Sequence, residues 1–94
     1  MATFESKNGK LFIDGKQVLK AWESFSGWFW FGTEKQDNWF NETDEKAKDI
    51  VWFGFVQGFE EEWGFFSQSE IESLAPRTWE IKAIDLPSAG RRNY

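Results

Sequence analysis

The stretch Gly27-Trp28-Phe29-Trp30-Phe31-Gly32-Thr33-Glu34 places four large aromatic residues in a row. In an extended strand successive side chains point to opposite faces. Trp28 and Trp30 then line one side, and Phe29 and Phe31 the other. A strand that is apolar on both sides has to be covered on both sides. Either the rest of the chain supplies both covers, or a partner supplies one of them.

Working outward, residues 50–57 (IVWFGFVQ) form an unbroken apolar run of strand length. This run reads as the central strand of a sheet, covered on both faces. Gly54 inside it predicts a bulge or the close approach of a neighbouring ring. Gly58 ends the run, residues 59–62 make a link, and Trp63-Gly64-Phe65-Phe66 returns as a further, antiparallel strand.

Upstream, Asn8-Gly9 and Asp14-Gly15 are strong two-residue hairpin signals. They join residues 3–6, 10–13 and 16–20 into a meander whose apolar material is Phe4, Leu11, Ile13, Val18 and Leu19. Residues 21–27 read as a connector or a bulged strand. Downstream, Ser67 with Glu70 three positions on is a capping-box signature, and Ile71 with Leu74 gives one apolar side. A short helix over 67–75 is predicted, stopped by Pro76. Thr78-Trp79-Glu80-Ile81 reads as a last short strand, and residues 87–94 as a loose tail.

Residues 35–49 are polar apart from Trp39-Phe40. They read as a long surface loop or as a short helix around 41–48, with Trp39 and Phe40 as its hydrophobic anchor or as an exposed contact. The expected architecture is a single mainly-β domain over residues 1–94. It comprises one antiparallel twisted sheet of five or six strands, N-terminal hairpins and one short helix.

Composition supports a folded domain. Seven Trp and eleven Phe outnumber the twelve Leu, Ile and Val residues. Together these thirty large apolar side chains make about a third of the chain, an ordinary load for a globular domain. A chain of this size buries about two thirds of its unfolded surface, so some rings stay partly exposed. The aromatics Trp28, Trp30, Trp52 and Trp63 are expected chiefly to build the fold.

Absent residue types narrow the chemistry. There is no Cys and no His, which removes disulfides, thiolate nucleophiles and the commonest metal ligand and acid–base group. Catalysis would have to rest on carboxylates, Ser, Thr, Lys or the single Tyr94, for example on Glu34 paired with one of Glu60, Glu61 and Glu62. The expectation is that the protein is not an enzyme. The acids Asp37, Glu42, Asp44, Glu45 and Asp49 are suitable oxygen donors for Ca²⁺, but they do not follow the EF-hand pattern and are mixed with lysines. No metal and no cofactor are expected.

The net charge is −5, and it is concentrated between Glu34 and Glu62. This balance argues against direct nucleic-acid binding; the basic exception is Arg91-Arg92. The start Met1-Ala2-Thr3-Phe4-Glu5 has no basic n-region or apolar h-region, and no apolar run approaches membrane-spanning length. A cytoplasmic protein without a membrane segment is expected.

Three motifs occur in one order: Trp28-Phe29-Trp30-Phe31 with Glu34, Trp52-Phe53-Gly54-Phe55-Val56 with Gly58, and Glu62 with Gly64-Phe65-Phe66-Ser67 and Glu70-Ile71. Over about residues 27–74 this series resembles a family of small domains of unassigned function, found on plasmids, phages and other mobile elements. The resemblance implies a mobile-element or viral origin and carries no chemistry.

The functional expectation is a non-catalytic accessory protein that binds another protein, of host or viral origin, or a second copy of itself. The predicted contact residues are Trp39, Phe40, Glu60, Glu61 and Glu62, with Arg91 and Arg92 as a secondary spot. Two alternatives remain. One is a small-ligand or carbohydrate-binding module using an exposed Trp face. The other is an acidic DNA mimic that blocks a host nucleic-acid-binding protein.

Overall fold

The computed structural model describes residues 2–36 and 50–90. Three short strands, β1 (Phe4–Lys7), β2 (Lys10–Ile13) and β3 (Lys16–Gln17), form an antiparallel sheet in that order. Its turns are those the sequence predicts. Asn8 and Gly9 (φ 53° and 75°), then Asp14 and Gly15 (φ 50° and 81°), are left-handed pairs. Two consecutive left-handed residues make the two-residue turn whose twist matches the flanking strands.

A second antiparallel sheet holds β4 (Lys20–Ser24), β5 (Phe29–Gln36), β6 (Val51–Gln57), β7 (Glu61–Ser67) and β8 (Thr78–Glu80). Their order is β7-β6-β5-β4-β8. Helix α1 (Gln68–Glu72) links β7 to β8, and a 3-10 helix (Ala83–Ser88) follows β8. The capping prediction holds: the Ser67 hydroxyl accepts from the Glu70 backbone N–H at 3.2 Å.

The opening question has a structural answer. On one face of the five-stranded sheet, Phe31 and Phe55 join Ala21 and Ile81 beneath Leu11, Ile13 and Val18 of the N-terminal segment. Phe4 of β1 reaches across to both, with ring centroids 5.6 Å from Phe31 and 5.9 Å from Phe55. On the other face Trp22, Trp52 and Ile71 form a second core, against which Trp30 and Phe66 pack. The chain thus covers β5 from both sides, with a sheet on one and a short helix on the other. Each buried ring withdraws about 150–250 Å² from water, which makes these two clusters the main source of stability.

The mainly-β expectation is met, with its details rearranged. The N-terminal hairpins are a separate three-stranded sheet rather than an extension of the main one. The middle strand is β5, and β6 lies second from the β7 edge. Of the two readings of residues 21–27, the strand holds as far as Ser24: β4 is a full member of the sheet with Trp22 1% exposed, and residues 25–27 turn into β5. Leu19 is exposed while Val18 is buried, both in the link between β3 and β4.

Gly54 meets the bulge prediction. It lies opposite Gly32, and the register slips between Gly32 and Glu34. A Cβ on Gly54 would collide with the Phe31 carbonyl oxygen, so backbone rather than a ring fills that space. The tail is not loose as far as Gly90. Ser6 donates its hydroxyl to the Pro87 carbonyl at 2.6 Å, and Ala89 and Gly90 are buried. The expectations for residues 37–49 and 91–94 lie outside the described residues.

Candidate aromatic and acidic contact surface

Two turns lie at the same end of the five-stranded sheet. Between β4 and β5, Ser24 organises residues 25–28. Its hydroxyl accepts from the Trp28 N–H at 3.1 Å, its own N–H donates to the Trp28 carbonyl at 2.9 Å, and its carbonyl accepts from the Gly27 N–H at 3.0 Å. The Phe25 N–H is tied to the Arg77 carbonyl at 2.9 Å. Between β6 and β7, the Gly58 N–H donates to the Glu60 carbonyl at 3.1 Å, closing a turn with Phe59 at its tip.

The two turns meet through Trp28. Its indole lies over Gly58, where a Cβ would come within 2.5 Å of the ring. It also stands edge-on to Phe59 with centroids 5.3 Å apart. Along the strand Trp28 leans on Trp30, 5.9 Å away. Trp30 is opposite Val56, and Val56 is opposite Glu62, so these three share one face across β5, β6 and β7. Phe59 is 94% exposed and Phe25 74%.

Around these rings stand carboxylates. Glu60, Glu61 and Glu62 are all exposed. Glu62 points to the Trp30 face by register, and Glu61 to the opposite face, where it accepts a 2.8 Å hydrogen bond from the Gln57 side-chain amide. The result is an aromatic surface with an acidic border. An exposed apolar group of this kind is suited to a pocket on another macromolecule.

Of the predicted contact residues, Glu60, Glu61 and Glu62 are exposed, with Glu62 on the Trp30 face and Glu61 on the opposite one. Trp39, Phe40, Arg91 and Arg92 lie outside the described residues. Sequence reasoning missed Phe59 and Phe25. The available signal for Phe59 was local: a Phe directly after Gly58 and before three glutamates sits where a hairpin turns, and turns project outward.

Of the Trp residues assigned to the fold, Trp52 is buried, while Trp28, Trp30 and Trp63 are half-buried. Trp22, which was not singled out, is the most buried of those described. The carboxylate pairing of Glu34 with Glu60 or Glu62 does not form. Glu34 is opposite Phe53, whereas Glu62 is opposite Val56 three residues along and on the other face. Among the described residues no three carboxylates gather closely enough to hold a metal ion. Among them too, no helix is long and apolar enough to cross a membrane.

A second concave feature lies on the face opposite Trp30. The 3-10 helix stands off β4, β5 and β8 and leaves an open cleft of about 520 Å³, bordered by Glu23, Phe29, Trp79, Lys82, Asp85 and Ser88. Glu23 and Trp79 are cross-strand neighbours, and Trp79 is 44% exposed.

Searches with the chain against protein-family models, curated proteins and solved structures return no match.

Proposed function

We propose that this chain is a non-catalytic protein-binding domain, an accessory protein of a phage or other mobile element acting in the cytoplasm. It docks through the end of the five-stranded sheet where Phe59, Trp28 and Phe25 are bordered by Glu60, Glu61 and Glu62. The partner surface is an apolar pocket with Lys or Arg around it. In that pairing the rings supply desolvated anchors, and opposite charge speeds and orients the encounter.

One observation carries the reading: Phe59 is almost wholly exposed while its ring stands perpendicular to that of Trp28. A core-building Phe would be buried. A solubilising turn would carry a polar residue at its tip. A large apolar residue held out on a tight turn, with carboxylates following it, has the form of an interface anchor.

The test is affinity capture on the immobilised wild-type chain, run beside Phe59→Ala and the double variant Glu61→Lys/Glu62→Lys. A partner captured by wild type and lost from both variants supports the surface. A partner held equally by all three overturns it. Sedimentation of the purified proteins covers self-association: a dimer dissociated by Phe59→Ala makes the partner a second copy.

A further inference from the structure

We propose that the cleft between the 3-10 helix and strands β4, β5 and β8 binds a guanidinium group. This is a separate site from the Phe59 surface: it lies on the opposite sheet face and can be scored without any protein partner.

The cleft has the size of a small-ligand site; such sites span about 300–1,000 Å³. Trp79, on the edge strand, presents a partly exposed indole to it. Opposite Trp79 in the ladder and on the same face is Glu23, half-buried. Asp85 borders the cleft from the 3-10 helix. Neither carboxylate makes a side-chain hydrogen bond or ion pair among the described residues. Glu80, which also borders the cleft, is already paired with Lys20 at 3.5 Å.

This chemistry selects among ligands. Among the described residues no three acids gather as metal ligands do, and the indole beside the carboxylates offers a stacking face that suits an extended cation. A planar cation can lay its face on Trp79 and direct its edge N–H groups at Glu23 and Asp85. Guanidinium does both at once, stacking on an aromatic face and forming paired bonds to a carboxylate. An ammonium group has no flat face to stack; a neutral sugar can stack on the indole and donate hydroxyls to the carboxylates, but it carries no charge to offset theirs. Among the described residues Lys82 is the one cation bordering the cleft, and it opposes the ligand. Its removal therefore distinguishes a cation site from an anion or sugar site.

The experiment titrates N-acetylarginine amide into the full-length chain and follows the indole N–H signals by NMR. The neutral isostere N-acetylcitrulline amide and methyl glucoside serve as parallel arms. The titration is repeated on an Arg91→Ala/Arg92→Ala variant, which removes two of the chain's own guanidinium groups as competitors. Saturable shifts of the Trp79 indole and of cleft amides with the arginine amide, at least about tenfold weaker with citrulline, are expected.

Glu23→Gln should weaken binding by about tenfold or more, and Lys82→Gln should tighten it by roughly two- to fivefold. Lys82 is exposed, so this second variant keeps the test intact if Glu23→Gln disturbs the fold. A third arm uses an acetylated Gly-Arg-Gly peptide amide. Tighter binding than the free amide assigns the site to a protein side chain, and equal binding assigns it to a small molecule. No saturable binding in either wild type or the double-Ala variant overturns the proposal. So does equal binding of citrulline or sugar, or weakening by Lys82→Gln.

Discussion

Trp28 stands edge-on to Phe59 across two turns, ring centroids 5.3 Å apart and planes at 83°, with Gly58 beneath the indole. The positive ring edge of one against the negative face of the other is the favoured geometry for such a pair. Because Phe59 is otherwise in solvent, the pair orients the ring rather than burying it. That separates what Phe59 does for stability from what it does for binding.

Phe59→Ala is expected to change folding stability by no more than about 0.5 kcal/mol, as surface substitutions usually do. Partner affinity should fall by about 2 kcal/mol, roughly thirtyfold, as for an interface anchor. Urea denaturation and a binding isotherm on the same preparation check both halves.

Gly58→Ala should behave in the opposite way. Its new Cβ would come within 2.5 Å of the Trp28 ring, so the indole must move. A loss of about 1–3 kcal/mol in stability is expected, together with a changed tryptophan emission. A variant with wild-type stability and emission would mean that the turn absorbs the methyl group elsewhere.

In the second core the buried Trp52 Nε1–H donates to the Gln68 Oε1 at 2.9 Å, tying β6 to the first residue of α1. Gln68→Ala leaves that N–H without its acceptor and should cost about 1–3 kcal/mol. Trp52→Phe removes the donor. In a double-mutant cycle by urea denaturation the combined loss should fall short of the sum by about 1 kcal/mol, the mark of a direct interaction.

Ser67→Ala removes the acceptor for the Glu70 N–H and should cost about 0.5–2 kcal/mol. Ser67→Asp keeps an acceptor there and should recover most of it. Thermal melts of the three proteins decide. Equal losses in both variants would show that the hydroxyl matters through another contact.

Partner binding should weaken as salt rises from 0.05 to 0.5 M, on the order of a screening length shrinking to a few ångströms. Glu60, Glu61 and Glu62 are exposed and so fully subject to that screening. A salt-independent affinity would assign the contact to the rings alone.

The features legible in the sequence are those governed by neighbours along the chain. The left-handed pairs at Asn8-Gly9 and Asp14-Gly15, the alternation through Trp28 to Phe31 and the Ser67 cap each depend on a few adjacent residues, and each stands as predicted. Gly54 is intermediate. Its need for close approach was readable, but not that the Phe31 carbonyl would be what approaches.

Tertiary structure decided which rings are covered, because burial depends on segments distant in sequence. Nothing in residues 21–27 distinguishes a connector from the strand whose Trp22 fills the second core; pairing with both β5 and β8 does that. Likewise Phe31 and Phe59 are the same side chain in similar aromatic surroundings. One is sealed under the N-terminal sheet, while the other sits at a turn that no described segment crosses. The order of residues determined a strand-rich chain with two apolar faces. Only the folding of β1, β2 and α1 back onto the sheet determined which aromatic surface was left over for a partner.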